Sequence, residues 1–272
     1  MVEEFYPLVQ VYSFITGLSI GSFLNVIIYR VPNNKSIIRP RSKCPNCSNL
    51  INWYDNIPIL SFLILHGKCR HCSTSINIRY PIIELIGGLL ALLFLDIYGL
   101  TFQFGLLLVL SYMLIAITFI DIDHYIIPNQ FIIFGIITAI TSHVFKLLPI
   151  SMIDGIYGLL FFGGTLFITG TVGSLLLKKE AMGFGDVKLA VILGAFLGLE
   201  LSVLSLFLSF IFAALMSIIL LMLKKVGKDN RVPFGPSIAA GTLLTGISQI
   251  CFNHGYHPEK KSWCLAYRSR NH

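Results

Sequence analysis

The chain has 272 residues, 55% of them hydrophobic and only 12% charged, with a mean hydropathy of +0.79; soluble domains carry about 25% charged residues. This balance excludes a soluble globular enzyme, and equally a disordered chain, a collagen or a disulfide-stapled miniprotein. Twenty Lys and Arg against thirteen Asp and Glu give a formal charge of +7, which in so apolar a chain is read first as membrane topology. The N-terminal MVEEFYPL has two glutamates where a secretory signal carries basic residues, and no small-residue cleavage site stands out. The first apolar run is therefore expected to stay as an anchor.

A pass needs about 20 apolar residues, because the hydrocarbon core is about 30 Å thick and a helix rises about 1.5 Å per residue. Eight candidate passes follow, giving an all-α polytopic membrane protein with about eight transmembrane helices. They run roughly over Leu8–Tyr29, Ile82–Tyr98, Phe102–Ile120, Ile126–Phe145, Met152–Leu177, Gly183–Leu199, Leu201–Leu223 and Pro233–Phe252. The run Val187–Leu223 would make one helix of about 55 Å, nearly twice the bilayer core, so it must break once, at Gly198-Leu199-Glu200. That break draws Gly183–Asp186 to the membrane surface. The expected organisation is a first helix over 1–29, a cytoplasmic loop over 30–81, a membrane domain over 82–252 and a polar tail over 253–272. Fifteen of the twenty Lys and Arg fall in one set of alternate loops: Arg30–Arg79, Lys178 to Lys188, and Lys224 to Arg231. The positive-inside rule then puts the N-terminus outside, these loops in the cytoplasm, and both Asp121 and Asp186 at cytoplasmic helix ends. Orientation and contact with anionic lipid account for the charge without nucleic acid.

The long loop carries Cys44-Pro45-Asn46-Cys47 and Cys69-Arg70-His71-Cys72, with 21 residues between the two pairs. Each C-x-x-C turn brings two sulfurs within about 4 Å, and two such turns close a tetrahedron around structural zinc. A loop this poor in core residues would draw its folding free energy from the metal. Disulfides are the competitor, disfavoured on a reducing face; free thiols are the other. A site closed by four cysteines leaves no position open for catalysis, and Cys251 and Cys264 look unrelated to it.

Carboxylates at helix ends or inside apolar passes are costly enough to be candidates for chemistry. They are Glu84, Asp96, Asp121, Asp123, Asp154, Asp186 and Glu200. Asp96, Asp154 and Glu200 fall at expected outer ends, where solvated carboxylates are unremarkable in function. Asp121 and Asp123 precede Pro128, which is expected to begin a new helix, and Asp186 closes Gly183-Phe184-Gly185-Asp186. The two glycines permit unusual dihedrals and let a peptide backbone approach, and a helix start favours the ionised aspartate. Two such carboxylates can divide the roles of base and acid. Against this stand an N-cap at Asp186 and an ordinary solvated turn at Asp121 and Asp123.

From about Gly17 to Gly246 the chain resembles the type IV prepilin peptidases, GxGD-type aspartic membrane proteases that are also leader peptidase/N-methyltransferases. The matching segments, in order, are Gly21-Ser22-Phe23-Leu24-Asn25 through Arg30-Val31-Pro32, the two cysteine pairs, and Trp53-Tyr54-Asp55-Asn56-Ile57-Pro58. Arg79-Tyr80-Pro81-x-x-Glu84, the Asp-to-Pro stretch, Gly-x-Gly-Asp and Phe234-Gly235-Pro236 follow. The resemblance implies an enzyme of the bacterial cytoplasmic (inner) membrane, with a cytoplasmic catalytic face, that cuts basic leaders from type IV prepilins and pseudopilins. It also implies N-methylation of the new terminus with S-adenosylmethionine. Asp121, seven residues before Pro128, and Asp186 match the catalytic aspartates, with Asp123 second to Asp121. The cysteine-bearing loop goes with the bifunctional members. The cofactor pocket is not assigned residue by residue, although Glu84 with the loop is where it is sought. The alternatives of other classes are a proton- or ion-coupled transporter using the same aspartates, and a zinc-ribbon adaptor without chemistry.

Overall fold

A computed structural model describes residues 2–179, 182–222 and 232–253; the basic residues Lys224 to Arg231 and residues 254–272 of the expected tail lie outside them. The described chain is helical, and its pairing of extended backbone is limited to the isolated bridges Lys43–Leu50 and Lys68–Ser75. In chain order the helices are α1 (Val2–Arg30), the short α2 (Leu60–Ile64), α3 (Arg79–Tyr98) and α4 (Phe102–His124). α5 (Asn129–Val144), α6 (Met152–Leu177), α7 (Phe184–Met222) and α8 (Gly235–Asn253) complete the set, and a 3-10 turn covers Trp53–Asn56. Each of the eight expected passes falls on one of these helices. Five helices, α1, α3, α4, α6 and α7, are long and apolar enough to cross a membrane. The lower number arises because the 39-residue α7 carries two of the passes. The 16-residue α5 reaches only about 24 Å, and α8 also stands outside the five. The protein is multi-pass.

The chain forms two compact units, Met1–His124 and Tyr125–His272. In the first, α1 and α3 run antiparallel in a register set by small and polar side chains. From one end of the pair to the other, Tyr6 and Gln10 donate to Asp96 at 3.0 and 2.8 Å, Ser13 donates to the Ala91 carbonyl at 3.1 Å, and Asn25 donates to the Tyr80 carbonyl at 3.2 Å. Between them the backbones nearly touch: a Cβ on Gly17 would lie 2.6 Å from the Gly87 carbonyl oxygen. Apolar helices gain nothing by leaving lipid for one another, so close backbone packing and interhelical hydrogen bonds, each worth about 0.6 kcal/mol, hold such pairs together. Asp96 is thus a bridging group rather than a merely solvated one.

In the second unit α7 is the hub, packed on α5, α6 and α8. It breaks where expected, at Gly198, whose φ of 71° and ψ of −177° belong to a region that glycine alone occupies at low cost. In an unbroken helix the Leu199 N–H would donate to the Ala195 carbonyl. Instead Leu199 donates to Asp154 Oδ1 at 3.1 Å, and the Ala195 carbonyl accepts from His143 Nε2 at 2.9 Å. Two side chains, one from α6 and one from α5, replace the lost backbone bond. Asp154 therefore has a structural task that its place at an outer helix end did not indicate, and Ser151 caps the same turn by accepting the Asp154 N–H at 3.0 Å.

A Cβ on Gly198 would collide with Asp154 Oδ2. Gly198→Ala should therefore cost on the order of 1–3 kcal/mol, whereas Asp154→Asn, which keeps an acceptor for Leu199, should cost less than Asp154→Ala. Denaturant titration in detergent checks both, and equal stability of the wild type and Gly198→Ala would refute the strained break.

Candidate functional site: a thiolate cluster and two buried aspartates

The loop after α1 folds as two copies of one turn, 25 residues apart. Cys44 N–H donates to the Asn49 carbonyl and Cys69 N–H to that of Thr74, both at 2.9 Å; Ser48 donates to Cys44 and Ser73 to Cys69, both at 3.0 Å. Ser48 and Ser73 both take a left-handed backbone, with φ of 59° and 55°. Asn46 ties the copies together by donating to Thr74 Oγ1 at 2.7 Å. The four sulfurs of Cys44, Cys47, Cys69 and Cys72 lie within 4.8 Å of one another, and none is in a disulfide.

Hydrogen bonds around this cluster draw two of its thiols toward the ionised form that a cation site requires. Amides of Cys47 and Asn46 donate to Cys44 and lower its pKa. The Thr74 hydroxyl and amide, with the Asn46 side chain, hold Cys72 at about 5. At Cys47 the Asn49 amide pulls the other way, but burial and the sulfurs of Cys44, Cys72 and Cys69 outweigh it and push the thiol up to about 11. Backbone dipoles favour thiolates, while the crowding opposes putting all four charges there at once. A divalent cation removes that conflict, so the cluster fits structural zinc held by the four cysteines.

Other contacts fix the loop on its helices. Arg30 donates to the Ser36 and Pro40 carbonyls at 2.9 and 2.7 Å. Arg70, between two of the cysteines, grips Asp55 of the 3-10 turn at 2.6 and 2.9 Å and holds its carboxyl below the usual range. Glu84, buried in α3, accepts the Ile59 N–H at 2.8 Å. A cleft of about 230 Å³ opens between α1 and this turn, lined by Ser19, Ser22, Phe23, Val26, Asn56 and Pro58. Glu84 and the loop thus do meet, through a backbone amide that the sequence pattern could not reveal.

Asp121 and Asp123 lie in the last turn of α4 on different faces. Asp121 is buried beside Ile117 and Ile120, whereas Asp123 is exposed and paired with Arg79 at the start of α3. The Arg79 guanidinium also sits 5.4 Å from the Phe119 ring centre. Sequence reasoning missed this partner, for which Arg79-Tyr80-Pro81 was the only signal. Neither aspartate lies in a free turn, because α4 continues to His124. Asp186 is buried in the first turn of α7, two residues past its start, and so is not an N-cap. Neither Gly183 nor Gly185 takes a positive φ, so their role is space rather than the unusual dihedrals expected of them. A Cβ on Gly183 would stand 3.2 Å from Asp186 Oδ2, and one on Gly185 3.1 Å from Ile127 Cβ. Lys188, one turn on from Phe184, lies 5.1 Å from that ring's centre and reaches Asn129 Oδ1 at 3.4 Å.

The cysteines give the test of the cluster. Purified protein should carry one zinc per chain, and Cys44→Ser with Cys47→Ser should remove it, as read by elemental analysis; unchanged metal content would overturn the assignment. The hydrogen bonds that draw Cys44 and Cys72 toward the thiolate, against a Cys47 pushed up to about 11, leave the metal-free cluster partly ionised at pH 7. Zinc binding to the stripped protein at pH 7 should therefore release protons, but fewer than four, and affinity should fall as the pH is lowered. Calorimetry in buffers of different ionisation enthalpy measures the proton count.

Comparison with known proteins separates the cysteine turns from the two buried aspartates. Residues 15–97 match the Bacterial Peptidase A24 N-terminal domain and residues 108–218 the Type IV leader peptidase family. A prepilin leader peptidase/N-methyltransferase of Myxococcus xanthus is 42% identical over 193 residues, 71% of this chain, though these span only 57% of that relative's length. One of the same description from Pseudomonas aeruginosa is 32% identical over 82% of this chain and 84% of its own. A "type 4 prepilin-like proteins leader peptide-processing enzyme" of Escherichia coli is 32% identical over 92% of this chain and 98% of its own. No solved structure matches. The cysteine turns and both buried aspartates lie inside the matched regions, and the chain belongs to the type IV leader peptidase family.

Proposed function

We propose that this protein is a bifunctional membrane enzyme that cuts the basic leader from type IV prepilins and pseudopilins and methylates the new N-terminal amine. The relatives carry both activities in their names. The observation that carries the peptidase half is the burial of Asp121 and Asp186 in the terminal turns of apolar helices long enough to cross a membrane. Carboxylates are not kept in such places for solubility. In the proposed reaction one aspartate, ionised, takes a proton from water as its oxygen attacks the scissile carbonyl. The other, protonated, donates a hydrogen bond to the developing oxyanion. The first aspartate then gives the proton it took from water to the leaving nitrogen as the tetrahedral carbon collapses, which frees the amine, leaves the new carboxyl group on the leader and restores the ionised base. Asp123 is the poorer candidate because Arg79 already holds its carboxylate.

Residues near Asp121 and Asp186 are placed by this proposal at the cytoplasmic face of the bacterial inner membrane, as the Lys and Arg distribution supports. A prepilin with a basic leader in the cytosol and an apolar helix in lipid offers its cleavage point at that depth. Membrane lipid is the surrounding partner, and nucleic acid has no part. S-adenosylmethionine would supply the methyl group to the freed amine, and the zinc-bearing loop belongs to this second half as a structural element. The relatives' names are those of peptidases, so nothing favours the transport alternative.

Mass spectrometry of a co-expressed prepilin's N-terminus reads both activities. Asp121→Asn and Asp186→Asn should each slow cleavage by about 10²–10⁴-fold. Asp123→Asn should leave most of the rate, since an exposed ion pair is worth about 0–1 kcal/mol. The double change Cys44→Ser and Cys47→Ser should reduce methylation more than cleavage. Normal processing by both of the first two variants would sink the peptidase assignment.

A further inference from the structure

We propose that residues Ile57–Leu65 dip into the membrane, so that the loop rests on lipid through the exposed face of α2. This rests on the multi-pass architecture and not on the chemistry proposed above. From Asn56 to Gly67 the sequence NIPILSFLILHG contains no acidic residue, lysine or arginine. Three of its large side chains face outward: Leu60 is 56%, Leu63 61% and Ile64 68% exposed. Such a row would be costly against water, yet it sits in the most polar part of the chain.

Two contacts fix its depth. Glu84 lies five residues after the start of α3, about 7.5 Å along a helix that is itself a candidate span. Its Oε2 holds the Ile59 N–H, so the head of α2 is pinned to that level. On the other flank, Asn56 and Pro58 line the cleft with Ser19 and Ser22 of α1, and Ser22 lies eight residues before Arg30, about 12 Å from the helix end. Interfacial helices bury their apolar face about 5–10 Å into the boundary of headgroups and acyl chains; the Glu84 contact falls inside that range and the level of Ser22 slightly deeper. Ile59 is held at a φ of 60°, rare for a β-branched residue. The Glu84 bond helps to enforce that backbone.

Lipid is the occupant that the surroundings select. α1 and α3, the candidate spans against which this segment is held through the cleft and Glu84, also expose apolar side chains, Phe23 and Leu85 among them, as lipid-facing helices do. Trp53 and Tyr54 stand exposed just before it, the residue types that settle at headgroup level. Lys68 follows it, suited to anionic headgroups.

The chain has two tryptophans, Trp53 and Trp263, which allows a direct measurement. Full-length protein carrying Trp53→Phe, Trp263→Phe and Leu63→Trp is reconstituted in phosphatidylcholine/phosphatidylglycerol bilayers with brominated acyl chains. The expected result is blue-shifted emission, strongly quenched by the bromolipid and hardly by aqueous iodide. Quenching by iodide with none by bromolipid overturns the proposal. So does an indole that the bromolipid leaves untouched and that only an added prepilin peptide shields, since the face would then belong to substrate. Should that variant fail to reconstitute, Trp53 in a Trp263→Phe background decides instead: quenching by shallow bromines supports the insertion, and full iodide access with no bromine quenching refutes it. Because neither Leu63 nor Trp53 is assigned to the chemistry, leader cleavage measured alongside separates failure of this inference from failure of the peptidase proposal.

Discussion

Hydrocarbon offers no partner to an N–H or a C=O, and every irregularity in a membrane-spanning backbone must be met from within the protein. That constraint organises both units. Where α7 breaks, the freed Leu199 amide and Ala195 carbonyl go to Asp154 and His143. Where the loop reaches the level of α3, the Ile59 amide goes to Glu84. Where α1 and α3 meet, the hydroxyls, amides and carboxylate of Tyr6, Gln10, Ser13, Asn25 and Asp96 find partners across the pair. Much of the acidic inventory of the apolar region is thereby accounted for as backbone or interhelical repair. Charge inside a membrane protein is evidence of a task, but the task need not be catalysis.

The loop solves a different problem. It has few buried apolar residues, and its described order comes from two repeated turns, the Arg70–Asp55 pair and four sulfurs in one cluster. Amide donors draw these thiols toward ionisation, and at Cys47 burial and the neighbouring sulfurs outweigh the amide of Asn49 and drive the thiol back to about 11. The apoprotein thus holds a partly ionised cluster whose remaining conflict a cation relieves. Metal and fold are therefore one equilibrium, and the metal's energetic contribution lies in ordering chain rather than in polarising a substrate.

Local pattern carried the helices, the break at Gly198 and the clustering of the four cysteines, because each depends on residues close in sequence or on spacing that geometry restricts tightly. What escaped it depends on pairing across long separations. Nothing in the spacing of Tyr6, Gln10 and Asp96 announces that they share one junction, and His143 appears in an apolar run as a lone polar residue. The glycines before Asp186 were legible as important for two reasons, space beside the carboxylate and dihedral freedom; room for the aspartate and for Ile127 is what they supply, and neither takes a positive φ. The seven-residue offset from Pro128 selected Asp121, yet the contrast with Asp123 required knowing where α3 begins.

That contrast follows from helical geometry. Two residues apart on α4, the aspartates point about 200° away from each other, so one helix end presents both a buried and an exposed carboxylate. The exposed one takes Arg79 as partner and, through it, ties the end of α4 to the start of α3. Arg79 also begins the helix that carries Glu84, and Glu84 holds the turn leading into α2. Asp121, the zinc-bearing loop and the apolar α2 face are therefore joined by one short chain of contacts within a single unit. A loop seated against lipid at a fixed depth would, through Arg79, fix the end of α4 as well, and a proposed catalytic carboxylate carried on that end would keep its level in the membrane without any contact of its own with the loop.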